Sequence, residues 1–251
     1  LYAIISSGLT LTFGVLEFII FAHGDTAMAG GFMFFSFYVA FGLPLALSVI
    51  LAVLGTALLG IIIEKTTFKP VRDKQAFIPL VLSIGVAIIL QSIVLMIYGG
   101  GSQTYFQNIS PTVFHFNEGK ISISLVQIII ILSSIIIISA LYLFLKYTRI
   151  GKAIRAVSDN KEVAAIMGIN VARTITILFA IGSGLAAIGG ILTAFDQNLH
   201  PRMGLAISIK AFAAIILGGV GKLHGAIIAS IIIGFIENLF IGLTGISASY
   251  R

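Results

Sequence analysis

The sequence predicts an all-α protein, a polytopic transmembrane helical bundle of about eight membrane segments, some of them broken or re-entrant. Hydrophobic residues make up 59% of the 251 residues and charged residues only 10%, whereas about a quarter of a soluble domain is charged. Long apolar runs rich in Ile and Leu recur without the period-two alternation of a membrane barrel. These observations exclude a soluble domain of useful size, and residues 1–251 are interpreted as a single membrane domain.

Eight apolar runs supply the expected segments, and five of them are long enough to cross about 30 Å of hydrocarbon as a helix. The five are residues 43–63, 77–97, 121–145, 174–195 and 225–243. The shorter or less regular runs are residues 1–21, 27–41 and 205–219. The chain begins inside an apolar run without Met and ends just after another, so we expect the native protein to extend beyond both ends.

The basic residues are concentrated in two loops, with four in residues 64–75 and six in residues 146–173, out of fifteen in the chain. Residues 99–120, which lie between these loops, carry a single basic residue at their end. The positive-inside bias therefore predicts that both basic loops are cytoplasmic and that residues 99–120 face outward. This distribution explains the net charge of +6 without nucleic acid. The absence of cysteine excludes disulfides and thiolate metal sites.

Within the second basic loop, residues 158–168 have the pattern of a short capped helix. Asp159 is the expected N-cap, Glu162 follows three residues later as in a capping box, and Gly168 is expected to end the helix. Ala164 and Ala165 leave little side-chain volume, so a partner can approach closely. We predict that these five residues contact a soluble partner, which indicates a transporter driven from outside its own chain.

Three polar breaks interrupt the apolar runs, at residues 22–25, 196–204 and 217–225. The first is either a functional break surrounded by protein or water, or a tight turn at the membrane interface. The second is an external gate or, as the favoured interpretation, a solvated hairpin turn. The third is glycine-rich and faces inward, which permits a close approach of two helices or a re-entrant loop.

Ionisable and polar side chains inside apolar runs are candidates for the substrate path. These candidates are Glu17, His23, Asp25, Gln91, Ser183 and Lys210. For Lys210, snorkelling to the interface is favoured over a buried pair with Asp25, Glu17 or Glu237. A lone glutamine such as Gln91 lines a polar path or, more often, joins two helices by a hydrogen bond.

The pair Gly221-Lys222 invites comparison with a phosphate-binding loop, but the comparison fails at two positions. That loop needs glycine where Ile216 stands and serine or threonine where Leu223 stands. We therefore predict no catalytic residue, no metal ligand and no cofactor in this chain. Any ATP hydrolysis must belong to a partner subunit.

Short stretches in order along the whole chain carry a resemblance to a known family. They are GLTLTFGVL (8–16), FAHGD (21–25), TRIGKAIRA (148–156), AAIMGIN (164–170), GSGLA (182–186), PRMG (201–204), KAF (210–212) and LGGVG (217–221). With these stretches the chain resembles the membrane permeases of branched-chain amino-acid ABC importers, in particular the first of the two paired permease subunits. Each stretch alone is weak, and the ordered set is specific.

The resemblance implies a multi-pass subunit of the prokaryotic cytoplasmic (inner) membrane that transports leucine, isoleucine and valine and is not an enzyme. It implies three kinds of protein partner besides the lipid bilayer: two ATPase subunits that hydrolyse ATP, a second, related permease subunit and an extracytoplasmic solute-binding protein. It also implies that residues 162–168 are the coupling segment that rests on the ATPase. Whether the permease pairs with itself or with a related permease stays open.

Two departures from the family pattern leave the substrate open. The family usually has asparagine where Ile20 stands and a small residue where Glu17 stands. Relatives in the broader family carry urea, short amides or other small polar solutes, which are the first alternative.

Two further classes remain as alternatives. An ion-coupled secondary transporter or channel would use Glu17, Asp25, Lys210 and Glu237 as a charge relay. An intramembrane hydrolase would place Ser183 beside His200 or His224, a remote reading because both histidines fall in breaks at opposite membrane faces.

Overall fold

The computed structural model is a helical bundle, and it describes residues 1–72, 74–75, 77–105, 113–116 and 121–244. Ten α-helices occur in these ranges: α1 (Tyr2–Leu16), α2 (Ala22–Phe35), α3 (Leu45–Ile63), α4 (Phe77–Tyr98), α5 (Leu125–Tyr147), α6 (Arg149–Asp159), α7 (Lys161–Ile166), α8 (Val171–Asp196), α9 (Met203–Gly218) and α10 (Leu223–Thr244). Strands β1 (Val113–Phe116) and β2 (Ile121–Ser124) pair antiparallel, with Val113 opposite Ser124. This hairpin is the one departure from the all-α prediction among the described ranges.

Five helical stretches are long and apolar enough to cross a membrane, and the count of about eight is not confirmed. The five are Leu45–Val71, Phe77–Tyr98, Leu125–Tyr147, Val171–Asp196 and Leu223–Phe240. The first continues from α3 through a π-helical turn and a short 3₁₀ turn. The helices α1, α2 and α9 have only 15, 14 and 16 residues. The class, a multi-pass helical membrane protein, stands.

Contacts between distant residues place the two basic loops at one end of the bundle. The Thr176 hydroxyl, near the start of α8, donates to Glu64 Oε2 at 2.9 Å, just after α3. Lys161 Nζ lies 3.2 Å from Glu17 Oε1, just after α1. We call this the basic end. At the opposite end Gln103 and Leu199 exchange two backbone hydrogen bonds. Of the loop predicted to face outward, residues 106–112 and 117–120 lie outside the described residues.

Helix α8 is the centre of the bundle. Of its most apolar 18-residue stretch 72% is buried within the protein, against 17–28% for the other four spans. Small residues allow this burial, because a Cβ added to Gly190 would lie 1.9 Å from the carbonyl oxygen of Ala27 in α2. A Cβ on Gly8 in α1 would lie 2.9 Å from the carbonyl oxygen of Gly182. Close backbone contact between small residues is the usual way in which membrane helices associate.

The first predicted break lies elsewhere in the chain. Helix α1 ends at Leu16, Glu17 adopts a left-handed conformation (φ 64°), and α2 already begins at Ala22. His23 and Asp25 are therefore helical, and residues 17–21 form the connection. The break was predicted at residues 22–25 because these residues are polar. They are helical instead, because side chains of other helices stabilise the first turn of α2, as described below.

The other two breaks lie within their predicted ranges but are shorter, at residues 197–202 and 219–222. Residues 197–202 join α8 to α9; Asn198, His200 and Arg202 are exposed, as expected for a solvated turn, whereas Leu199 is fully buried. The glycine-rich break does permit a close approach. A Cβ on Gly225 would lie 1.8 Å from the carbonyl oxygen of Gly218, and Gly219 and Gly221 have positive φ.

Candidate functional site

The short helices α2 and α9 begin at the same depth inside the bundle. The ring nitrogen Nε2 of His23 lies 3.1 Å from the carbonyl oxygen of Ile5. Ile5 stands eleven residues before Leu16, the last residue of α1, which is about 16 Å from the basic end at 1.5 Å per residue. Helix α2 therefore starts deep in the bundle rather than at its end.

Helix α9 starts against the first turn of α2, and the two backbones touch. A Cβ added to Gly204 would lie 2.1 Å from Asp25 Oδ1, and one added to Gly24 would lie 2.1 Å from the carbonyl oxygen of Gly204. From this crossing α2 runs to the opposite end, where Phe34 packs on Tyr105 at a ring distance of 4.8 Å. Helix α9 runs to the basic end. Discontinuous helices that meet at mid-depth are typical of substrate sites in transporters.

Two serine side chains hydrogen-bond to the backbone at the crossing. Ser208 in α9 donates to the carbonyl oxygen of Phe21 at 2.6 Å and accepts from the Gly24 N–H at 3.0 Å. Ser83 in α4 accepts from the Phe21 N–H at 3.2 Å. Backbone groups away from water must be satisfied within the protein. The local sequence does not reveal these roles of the two serines, because their partners are 187 and 62 residues away.

Two of the predicted path residues form a pair at the crossing. Gln91 Nε2 in α4 donates to Asp25 Oδ1 at 2.9 Å, and Asp25 is 1% exposed. The carboxylate also occupies the first turn of α2, where the helix dipole favours negative charge. Gln91 thus joins two helices, as the more frequent role of a lone glutamine predicts.

Two other predicted residues, His23 and Ser183, line one small cavity next to the crossing. Its volume is about 10 Å³, and Thr12, Gly60 and Phe179 are also in its wall. A cavity of this size holds at most about one water molecule. The crossing is therefore closed to an amino acid in this conformation, and any passage requires the helices to separate.

The two histidines of the hydrolase alternative contact groups other than Ser183. His200 Nδ1 accepts from the backbone N–H of Arg202 at 3.1 Å. The ring of His224 packs edge-on against Tyr142, with centroids 5.5 Å apart. Ser183 itself lies under Gly60, whose added Cβ would be 2.1 Å from the Ser183 hydroxyl. This arrangement supports helix packing by Ser183 rather than nucleophilic chemistry.

Lys210 belongs to a separate polar cluster between α1, α9 and α10. Its Nζ donates to Glu237 Oε1 at 2.7 Å and to the Tyr2 hydroxyl at 2.8 Å, and that hydroxyl donates to Glu237 Oε2 at 2.8 Å. The favoured prediction that Lys210 snorkels is replaced by the pair with Glu237. Glu17 and Asp25 are not its partners, because Glu17 contacts Lys161 and Asp25 contacts Gln91.

A short helix, α7, does lie within residues 158–168, but its cap is not the predicted one. Asp159 is the last residue of α6, and Asn160 adopts an extended conformation (φ −160°) and accepts the Val163 N–H at 3.0 Å. The capping box of Asp159 and Glu162 is therefore wrong, because the backbone leaves the helix one residue later than expected. Gly168 has φ 85° and ends α7 as predicted.

The surface of α7 also differs from the expected one. Ala164 is 2% exposed and faces its own bundle, so it is not available to a partner. Val163, Ile166 and Met167 are 55%, 84% and 76% exposed. These positions share one helical face by their three- and four-residue spacing. We call them the α7 apolar patch. Glu162, Ala165 and Gly168 are exposed beside it.

Direct contacts connect α6 and α7 to the end of α1. The Ser158 hydroxyl donates to the carbonyl oxygen of Gly14 at 3.0 Å. The Lys161–Glu17 pair adds a second contact, at the left-handed residue that ends α1. These contacts link α7 to α1, whose Gly8 packs on α8 and on His23 at the crossing.

An ion pair at the basic end was not predicted. Glu64 is fully buried and forms an ion pair with Arg72, while its second oxygen accepts from Thr176 in α8. It anchors the end of α3 to α8. In the sequence both residues looked like ordinary members of a solvated basic loop.

Comparisons with known proteins cover the whole fold. Residues 1–251 match the family described as the permease component of the branched-chain amino acid transport system. The chain is 32% identical over 249 residues to the high-affinity branched-chain amino acid transport system permease protein LivH of Escherichia coli, covering 95% of this chain and 81% of that protein. The corresponding protein BraD of Pseudomonas aeruginosa is 32% identical over 248 residues, covering 94% and 80%.

A sugar permease is similar over a shorter part. The ribose import permease protein RbsC of Haemophilus influenzae is 32% identical over 123 residues, covering 46% of this chain and 38% of that protein. No solved structure matches the chain significantly.

Proposed function

The chain belongs to the family of branched-chain amino acid transport permeases, and on this premise we propose that it is a membrane subunit of an ATP-driven importer for leucine, isoleucine and valine. The similarity to two permeases named for these amino acids supports the substrate class, because it covers at least 80% of each relative. The importer lies in the prokaryotic cytoplasmic membrane, with the basic end in the cytoplasm. Two ATPase subunits, a second permease and an extracytoplasmic solute-binding protein complete it.

The observation that supports transport most directly is the crossing of α2 and α9. Both helices begin at mid-depth, run to opposite ends and touch through Gly24 and Gly204. A small separation of these two helices opens the bundle at one end while the rest of each helix keeps its packing. Rigid movement of one part against another around a central site is a common form of alternating access.

In this proposal, α7 is the element through which ATP hydrolysis by the partner subunits drives transport. The α7 apolar patch binds the ATPase, which holds and hydrolyses ATP, and this chain performs no covalent chemistry. Closure of the ATPases moves α7, and the contacts of Ser158 and Lys161 with the end of α1 transmit the movement to the crossing. Helices that shift as rigid elements transmit such changes over long distances.

The charged groups argue against an ion-coupled alternative. Glu17 contacts Lys161, Asp25 contacts Gln91, and Lys210 contacts Glu237. These are three separate groups rather than one continuous relay. The partial similarity to a ribose permease makes a small polar solute the alternative that substrate assays should include.

Co-purification from the native membrane tests the coupling part of the proposal. Ile166→Glu places a charge in the α7 apolar patch and should abolish recovery of the ATPase subunits, whereas Ile166→Leu should retain it. Both variants should melt at the wild-type temperature, because Ile166 is 84% exposed. Equal recovery of ATPase subunits with both variants would contradict the assignment of the patch.

Uptake by the assembled importer tests the substrate. Uptake of labelled leucine should require ATP and be inhibited by excess isoleucine or valine, with ribose and urea having no effect. Competition by ribose or urea alone would move the assignment to the small polar solutes. Uptake that stops when an ion gradient is collapsed while ATP is held constant would favour an ion-coupled transporter.

A further inference from the structure

A second cavity opens at the basic end. It shares no lining residue with the small cavity beside the crossing. Its volume is about 360 Å³, and its wall comes from α1, α5, α6 and the start of α10. Leu11, Val15, Leu145 and Ile154 form an apolar wall. This volume lies within the range of sites for small organic ligands.

Two cations, Lys146 and Arg155, line the cavity. Lys146 Nζ lies 5.6 Å from the ring centroid of Tyr142, and Arg155 Nη2 donates to the carbonyl oxygen of Lys146 at 3.4 Å. Among the described residues neither belongs to an ion pair, and no Asp or Glu is in the wall. His224 supplies a third nitrogen-bearing side chain. Two like charges at one opening repel each other, and a bound anion relieves that repulsion.

The start of α10 adds donors at the same opening. Gly221, Leu223 and His224 line the cavity, and Leu223 is the first residue of a 22-residue helix. The first N–H groups of a helix have no intrahelical partner and favour an anion. The N-terminus thus reinforces the attraction exerted by Lys146 and Arg155.

The combination of an apolar wall and a basic opening defines the ligand chemistry. Basic pockets between membrane helices at the cytoplasmic side bind phosphate-bearing lipid headgroups. The outer faces of α5 and α10 are apolar, with Leu143 52% and Ile228 59% exposed, so acyl chains can lie against them. We propose that this cavity binds a phosphate anion, presented by the headgroup of an anionic phospholipid or by soluble phosphate.

The test uses the full chain in nanodiscs of phosphatidylcholine with one fifth phosphatidylglycerol, and native mass spectrometry counts the retained phosphatidylglycerol. The lining variant is Lys146→Gln/Arg155→Gln. The control, Lys65→Gln/Lys69→Gln, removes the same charge from exposed residues of the other basic loop. At about fivefold per charge, the lining variant should bind phosphatidylglycerol about 25-fold more weakly, and the control should bind like the wild type.

A second variant controls for the possibility that the first one misfolds. Leu223→Trp leaves both cations in place but fills the cavity from its wall, so it should lose the bound lipid as well. A parallel arm adds inorganic phosphate to discs of phosphatidylcholine alone. Soluble phosphate is the source if two results coincide. Phosphate binds in the phosphatidylcholine discs and is lost in the lining variant, and no phosphatidylglycerol is retained in the mixed discs. Equal binding of both probes by the wild type and all variants would overturn the proposal.

Discussion

The contact between Gly24 and Gly204 yields the sharpest prediction, because a single methyl group probes it. In Gly24→Ala the new Cβ would lie 2.1 Å from the Gly204 carbonyl oxygen, 2.4 Å from Ser208 Oγ and 2.7 Å from the Ser208 nitrogen. Ordinary contacts of a Cβ begin near 3.4 Å. The two helices must therefore separate by about 1.3 Å along the shortest contact, and two of the three atoms belong to backbone that cannot rotate away.

The magnitude follows from two opposing contributions. Overpacking costs about 1–3 kcal/mol, with the upper end expected for backbone contacts, and alanine regains up to about 1 kcal/mol over glycine in a helix. The net expected loss is about 2 kcal/mol, which corresponds to a fall in melting temperature of about 4–8 °C for a chain of this size. Leucine uptake should fall further, because the crossing itself is displaced.

The assay is thermal unfolding of the detergent-solubilised protein, together with uptake in the assembled importer. Gly85→Ala in α4 is the matched control, since nothing lies within 4 Å of its new Cβ. That control should melt at or slightly above the wild-type temperature. If both variants melted alike, the close crossing of α2 and α9 would be refuted, and with it the account of a closed central site.

Three further predictions concern the polar contacts. Lys210→Met leaves the Glu237 carboxylate without its cation and should cost less than the roughly 3–5 kcal/mol of a fully buried pair, because the two side chains are 27% and 19% exposed, and adding Glu237→Gln should largely restore the stability; identical melting of the single and double variants would contradict the pair. Gln91→Glu brings a second carboxylate to Asp25 and should lower yield and melting temperature, and adding Asp25→Asn should rescue both, measured by fluorescence-detected size exclusion. Glu17→Gly and Glu17→Ala both lose the exposed ion pair with Lys161, which is worth less than about 1 kcal/mol, but only glycine adopts the left-handed conformation at this position without strain. Glu17→Gly should therefore have the higher melting temperature of the two, and the reverse order would count against a strained cap.

Much of the fold was predictable, because apolar length is a property of the sequence alone. The runs that became α3, α4, α5, α8 and α10 were identified by length and composition, and the ends of these helices differ from the predicted ones by at most four residues. The short helices were harder. Their ends depend on Ser83 and Ser208, which satisfy backbone groups far away in sequence, and no local pattern reveals such partners.

The candidate site was predicted in its parts but not in its pairings. Asp25 and Gln91 were both chosen for their polarity in apolar runs, and only helix rotation could show that they meet. The cap at Asn160 was missed because Asp159 and Asn160 are equally good capping residues. Ala164 was misassigned because a helix of six residues gives too few positions to establish which face is buried.

The central place of α8 has a consequence for how the chain matures during synthesis. The N-terminal helices α1, α2 and α3 all pack on a helix that begins at Val171, so they cannot complete their packing until the ribosome has added more than a hundred further residues. At about 5–20 residues per second this delay lasts many seconds. Over that interval short helices such as α1 and α2 must wait in the membrane without their native neighbour, and the Phe21 carbonyl and the Gly24 N–H lack their partner Ser208, which is synthesised later still. A stalled or truncated nascent chain that lacks α8 should therefore be a substrate for membrane quality control.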